Sequence, residues 1–151
     1  MKVKFPVNLF LIDKWKAYRG QLPEKSDKRH IIIIIYITRT IINYFYITSK
    51  VDKAKIIYKN DKKALIELDT KEWTKLKKKS CIQCGKRHLK CISLETLKAM
   101  YENDKIEYVD EIPDGIKTKI IQAVRDSKTY TDPEKQMYVS TTNQSCKISK
   151  I

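Results

Sequence analysis

Apolar residues are grouped in this chain as short blocks between heavily charged segments, and the densest block is HIIIIIYITRTIINYFYITSK, residues 30–50. A membrane span would need about twenty mostly apolar residues and would bury Thr38, Arg39 and Thr40 at the bilayer centre, where the arginine alone costs roughly 2.5–3.5 kcal/mol. The abundance of Ile, Tyr, Phe and Thr suits a pleated sheet, so the block predicts two strands, His30–Ile37 and Asn43–Thr48, joined at the polar break. Because the isoleucine run does not alternate with polar residues, the first of these strands is expected to be buried on both faces.

The same reading gives a strand over Val7–Asp13 and, from Gly20, Pro23 and many charges, an exposed loop before residue 30. Two short strands are expected near Lys55–Tyr58 and Ala64–Leu68, turning at Asn60 and Asp61, then a turn or single helical loop over TKEWTKLKKKS. SCIQC and HLKCIS form the arms of an expected hairpin pivoting on Gly85 and Lys86. Ser93 is a suitable N-cap for a helix carrying Leu94, Leu97, Met100 and Tyr101 on one stripe. After a strand or extended link over KIEYVDEI, Pro113 and Asp114 announce a second helix with Ile116, Ile120, Ile121 and Val124 on its apolar face, up to about Ser127. Strands followed by helices predict an α+β domain on a small, bent antiparallel sheet, with residues 1–130 as the domain and 131–151 as a polar, loosely attached tail.

Charge changes this picture. The 151 residues hold 32 Lys and Arg against 18 Asp and Glu, a formal net charge of +14 with a pI near 9.6. That balance favours nucleic acid or another polyanion as partner, although a general bias toward Lys and Ile would produce the same numbers. The four cysteines follow an N-terminal segment without the apolar core and cleavage site of a signal peptide, which predicts reduced thiols in a cytoplasmic protein.

Few chemical motifs are present. With three glycines and two histidines, the chain has no Gly-rich phosphate loop, no G-x-S-x-G and no H-E-x-x-H, so nucleotide-cofactor and hydrolase-fold functions lose support. CIQCGKRHLKC places four potential zinc ligands, Cys81, Cys84, His88 and Cys91, within eleven residues, but this spacing is tighter than the paired clusters of ordinary tetrahedral sites. The alternative is that Cys81 and Cys91 are small core residues and that Lys86, Arg87 and His88 form a basic tip able to touch a nucleic-acid backbone. A second constellation is spatial: antiparallel pairing of the two isoleucine-rich strands brings Lys28, Arg29 and His30 beside Thr48, Ser49 and Lys50. Guanidinium and hydroxyl groups on a rigid strand end suit a phosphodiester grip.

At these residues the chain resembles the MazF/PemK family of toxin endoribonucleases. NLFLIDK stands at that family's first strand, KRHIIIIIYI at the second and YFYITSK at the third; LKKKSCIQC matches its approach to a later strand, and KIEYVDEIPDGIKTKIIQAVRDS its closing strand and helix. The likeness runs from about Pro6 to Ser127 and lies in the order of short motifs. Val7 and Asn8 replace a common Gly-Asp pair, and His30 replaces the proline that usually follows the arginine. The resemblance implies an SH3-like antiparallel barrel, usually a homodimer, held in check by an antitoxin protein and cutting single-stranded RNA without metal or other cofactor. It assigns catalytic duty to Arg29 and Thr48, with Lys28, His30, Ser49, Lys50 and Arg87 as candidates for substrate contact. Arginine, with a pKa above about 12, is better suited to stabilising charge than to abstracting a proton. The competing classes are a nonenzymatic nucleic-acid-binding barrel and a small zinc-binding adaptor.

Overall fold

The computed structural model describes residues 9–23, 28–139 and 145–149. The Val7 and Asn8 departures lie outside the described residues. Among the described residues, nine strands and four α-helices form an α+β fold in which one seven-stranded sheet carries the structure. At its centre, β3 (His30–Ile37) pairs antiparallel with β4 (Ile41–Thr48), with Ile32 opposite Tyr46 and Ile33 opposite Phe45. The isoleucine run is buried on both faces, as its lack of alternation predicts. Ile33 and Ile35 enter one core with Phe45, Ile82, Ile116 and Ile120, whereas Ile32 and Ile34 enter another with Tyr18, Ile42, Tyr44 and Leu97. Full burial of each such side chain stabilises by about 1.5–3 kcal/mol, so this strand ties the two cores together.

The segment expected as an exposed loop contains β2 (Lys16–Gly20), which pairs with β3 on one side and β8 (Ile106–Glu111) on the other. Its charges misled the reading because they are met across the ladder: Arg19 lies 3.5 Å from Glu107 and Lys16 lies 3.8 Å from Glu111. Ala17 and Tyr18, between those charges, are completely buried.

The strand expected near Lys55–Tyr58 is instead helix α1 (Val51–Ile57). Val51, Ala54 and Tyr58 recur at helical spacing and are buried, the first two against Cys81. The other early strand is present as β5 (Leu65–Leu68). The expected hairpin is not formed. β6 (Ser80–Gln83) and β7 (Lys90–Ser93) both run antiparallel to β4, end to end along one of its edges, as a single strand line interrupted by residues 84–89. That interruption contains a single 3-10 turn over Lys86–His88.

α2 (Leu94–Glu102) begins where Ser93 accepts a hydrogen bond from the Thr96 amide, and α3 (Asp114–Asp126) buries Ile116, Ile120, Ala123 and Val124. Part of the region read as a tail has regular structure. Thr131 and Glu134 form a capping box on α4 (Asp132–Tyr138), and β9 (Ser145–Ser149) pairs with β1 (Leu9–Asp13) in a separate two-stranded sheet. Nor do the described strands close into a barrel: the main path runs β5-β6-β4-β3-β2-β8 and stays open. α1 and α3 pack against β5, so helices rather than β8 meet that margin. No described helix is long and apolar enough to cross a membrane.

Candidate polyanion site

Antiparallel pairing of β3 and β4 places the start of one beside the end of the other, and a cavity of about 770 Å³ opens there. Lys28, Arg29 and His30 line it from the approach to β3, and Thr48, Ser49 and Lys50 from the passage between β4 and α1. Arg19 reaches it from β2. A third wall, not foreseen from sequence, comes from Lys75, Leu76, Lys77, Lys78 and Ser80. The cavity therefore collects seven cations, and none of the described residues lining it is a carboxylate. Convergent charge of one sign in a concave surface concentrates anions.

The lysine loop is held from below. Trp73 and Leu76 are buried in the larger core, Ser80 Oγ donates to the Lys78 carbonyl at 3.0 Å, and Glu72 forms an ion pair with Lys119 on α3. Anchoring the apolar positions of WTKLKKK leaves its lysines exposed around the cavity. An alternation of buried Trp73 and Leu76 with lysines was the available sequence signal, but only the fold shows what the lysines border.

The two residues that the resemblance marks as catalytic line the same cavity, yet they are held differently. Arg29 Nη2 donates to the Asp104 carbonyl at 2.5 Å, and its Nη1 lies 3.8 Å from Glu107, which also meets Arg19. Asp104 presents that carbonyl from a left-handed backbone conformation, φ 54°. Thr48 Oγ1 accepts from the Lys50 amide at 3.2 Å, turning the chain out of β4, and its hydroxyl hydrogen can still donate. The His30 ring meets Tyr46 edge to face at 5.5 Å. Arg87 is exposed on the interruption between β6 and β7 and is not among the residues lining this cavity.

A smaller cavity of about 220 Å³ adjoins the first, and Thr48 and Lys50 line both. Tyr46, Gln83 and His88 contribute its polar groups, Ala54 and Ile57 an apolar wall, and Lys53 and Lys90 further charge. Gln83 Oε1 is buried and has no hydrogen-bond partner. The Gly85 amide donates to the Tyr58 hydroxyl oxygen at 2.8 Å, and that oxygen lies 2.7 Å from His88 Nδ1. The phenol oxygen thus links the backbone of the turn to the His88 ring, and which of Tyr58 and His88 donates between them is set by the imidazole tautomer. A Cβ at position 85 would fall 2.7 Å from the Tyr58 hydroxyl, which requires glycine there on grounds of space.

The proposed zinc ligands do not converge. Cys84 is buried in the larger core, Cys81 is buried against α1, Cys91 is exposed on β7, and His88 is engaged with Tyr58. Cys91 is therefore not the core residue expected from a hairpin. Burial, with the Glu67 charge adding to it, pushes the Cys81 thiol up to about 11, and burial raises Cys84 well above its ordinary value. Both oppose the thiolate that a metal needs. Among the described residues no three His, Cys, Asp or Glu side chains gather as a metal-ligand set.

Compared with known proteins, the chain matches no family model, no curated protein and no solved structure.

Proposed function

We propose that this chain grips single-stranded RNA and cleaves it as a MazF/PemK-like endoribonuclease with an SH3-like sheet architecture. The observation that carries the reading is the cavity in which seven cations, with no carboxylate among the described residues that line it, surround Thr48 at the junction of β3 and β4. A phosphodiester resting there meets a basic wall whose charge is set on strand ends and on an anchored loop. In the proposed reaction the ribose 2′-oxygen bonds to the adjacent phosphorus and the bond from phosphorus to the 5′-oxygen breaks. The 2′-hydroxyl loses its proton, the departing 5′-oxygen gains one, and the products are a 2′,3′-cyclic phosphate and a 5′-hydroxyl. Arg29 and the Thr48 hydroxyl stabilise the charge on the phosphoryl oxygens, and His30 is the nearest side chain in sequence suited to proton transfer. A homodimer and an antitoxin protein follow from the same resemblance and belong to the proposal.

Digestion of single-stranded RNA in EDTA tests it: cleavage persists in wild type, falls at least 100-fold in Arg29→Ala and Thr48→Ala, and yields the stated ends. A second reading, binding without cleavage, is favoured by the engagement of the Arg29 guanidinium with Asp104 and Glu107. Intact RNA bound in a strongly salt-dependent manner would select that reading over the nuclease.

A further inference from the structure

We propose that the smaller cavity is a nucleobase subsite, in which an unstacked base is held while the phosphate of the same strand rests in the cationic cavity. The inference rests on the RNA reading and extends it from the backbone to the bases. Continuity is the first argument. Thr48 and Lys50 line both cavities, so a strand bound in one has its neighbouring groups at the mouth of the other. Size is the second. About 220 Å³ lies below the roughly 300–1,000 Å³ of pockets for drug-sized ligands and suits one flat heterocycle.

Chemistry is the third argument. The larger cavity is walled mainly by cations, whereas the smaller combines the Tyr46 and His88 rings with Ala54 and Ile57, surfaces on which a base packs. Gln83 adds a carboxamide whose buried oxygen has no partner. Leaving such an acceptor unpaired costs about 1–3 kcal/mol, so its retention calls for an account. No hydrogen bond through Oε1 locks the amide, so it can turn to offer donor and acceptor together, the pair that matches a base edge. The wall is also stiff. Gln83 is fixed in the ladder opposite Leu65, and the hydrogen bonds joining Gly85, Tyr58 and His88 hold the adjoining turn.

The test uses an uncleavable 2′-deoxy tetranucleotide and its four single-abasic versions, with binding followed by fluorescence anisotropy. In wild type, removing the base at one position weakens binding about tenfold, and removing the others has less effect. In Gln83→Leu the penalty at that position falls below about twofold; in Gln83→Glu, which keeps the side-chain shape, the preferred base changes. Circular dichroism confirms that each variant is folded, and if Gln83→Leu is not, the wild-type scan and Gln83→Glu decide. Tight, salt-dependent binding by wild type that ignores every abasic substitution overturns the base subsite and leaves the backbone grip standing. An abasic penalty equal in wild type and both variants also overturns it. Failure of every strand to bind at low salt overturns both readings.

Discussion

The two ends of the β3–β4 pair carry similar residues and do different things with them. At one end Arg29, Thr48 and Lys50 border an open cationic cavity. At the other, Arg39 sits between Thr38 and Thr40 in an exposed turn, where the Thr38 hydroxyl oxygen accepts from the Ile41 amide at 3.0 Å and closes the chain on itself. A second cation near that end, Lys14, is packed against rings, with Nζ 5.4 Å from the Trp15 centroid and 5.8 Å from that of Tyr36. What marks out the first end is a third element: the lysine loop comes up beside Thr48 and lines the same cavity. Basic residues at a strand end become a candidate site when something else turns that end into a concavity.

The largest effect expected from breaking this contrast is removal of the loop's charge. Lys75→Gln, Lys77→Gln and Lys78→Gln combined should weaken single-stranded RNA binding about 100-fold at low salt and flatten the slope of log K against log salt by roughly 2, since each backbone contact contributes about 0.7. Anisotropy titrations at several salt concentrations measure both, and an unchanged slope would remove the loop from the site. Next comes the matched pair Arg29→Ala and Arg39→Ala, with about a tenfold loss of affinity for the first and less than twofold for the second. Equal losses would mean that net charge, not the cavity, governs binding.

Lys14 sharpens the comparison through stability. Burial, with Lys117 nearby, lowers its ammonium from 10.5 to about 8, so the charged form is less favourable in the fold than in the unfolded chain. The unfolded chain then binds more protons between these values, and the Lys14 contribution to stability improves as pH rises from about 8 toward 10.5. Lys14→Met should raise Tm by about 3 °C at pH 7, with the advantage shrinking by pH 10; a constant difference in differential scanning fluorimetry would refute the titration. Smallest is Glu107→Gln, which removes the carboxylate shared by Arg19 and Arg29 and should raise RNA affinity about twofold at low salt, vanishing at high salt. A fall in affinity would show that Glu107 serves to aim Arg29.

How much was legible followed how local the cause was. His30–Ile37, the Ser93-capped helix and the helix after Pro113 each declare themselves within their own residues, by β-branched bulk, a capping hydroxyl or apolar spacing. β2 did not, because the partners of Lys16 and Arg19 lie some ninety residues away on β8. α1 was mistaken because KIIY is a strand-like run when read alone, whereas Val51 and Ala54 upstream set the helical period. The hairpin expected at Gly85 failed for a related reason: β4 offers a long edge, and both arms pair with it rather than with each other. At the candidate site, the residues bordering the two central strands were readable as a group, but the lysine loop and Gln83 enter only through the placement of β6.

The pairing of β1 with β9 sets a condition on the order of assembly. Leu9 faces Ser149 and Asp13 faces Ser145, so the first described strand finds its partner in the last. During synthesis the sheet from β2 to β8 can form with its local helices, while β1 waits for residues made more than a hundred positions later. A nascent chain stalled before residue 145 would therefore present β1 without its β9 partner, and that pairing can form only once residues 145–149 have been made.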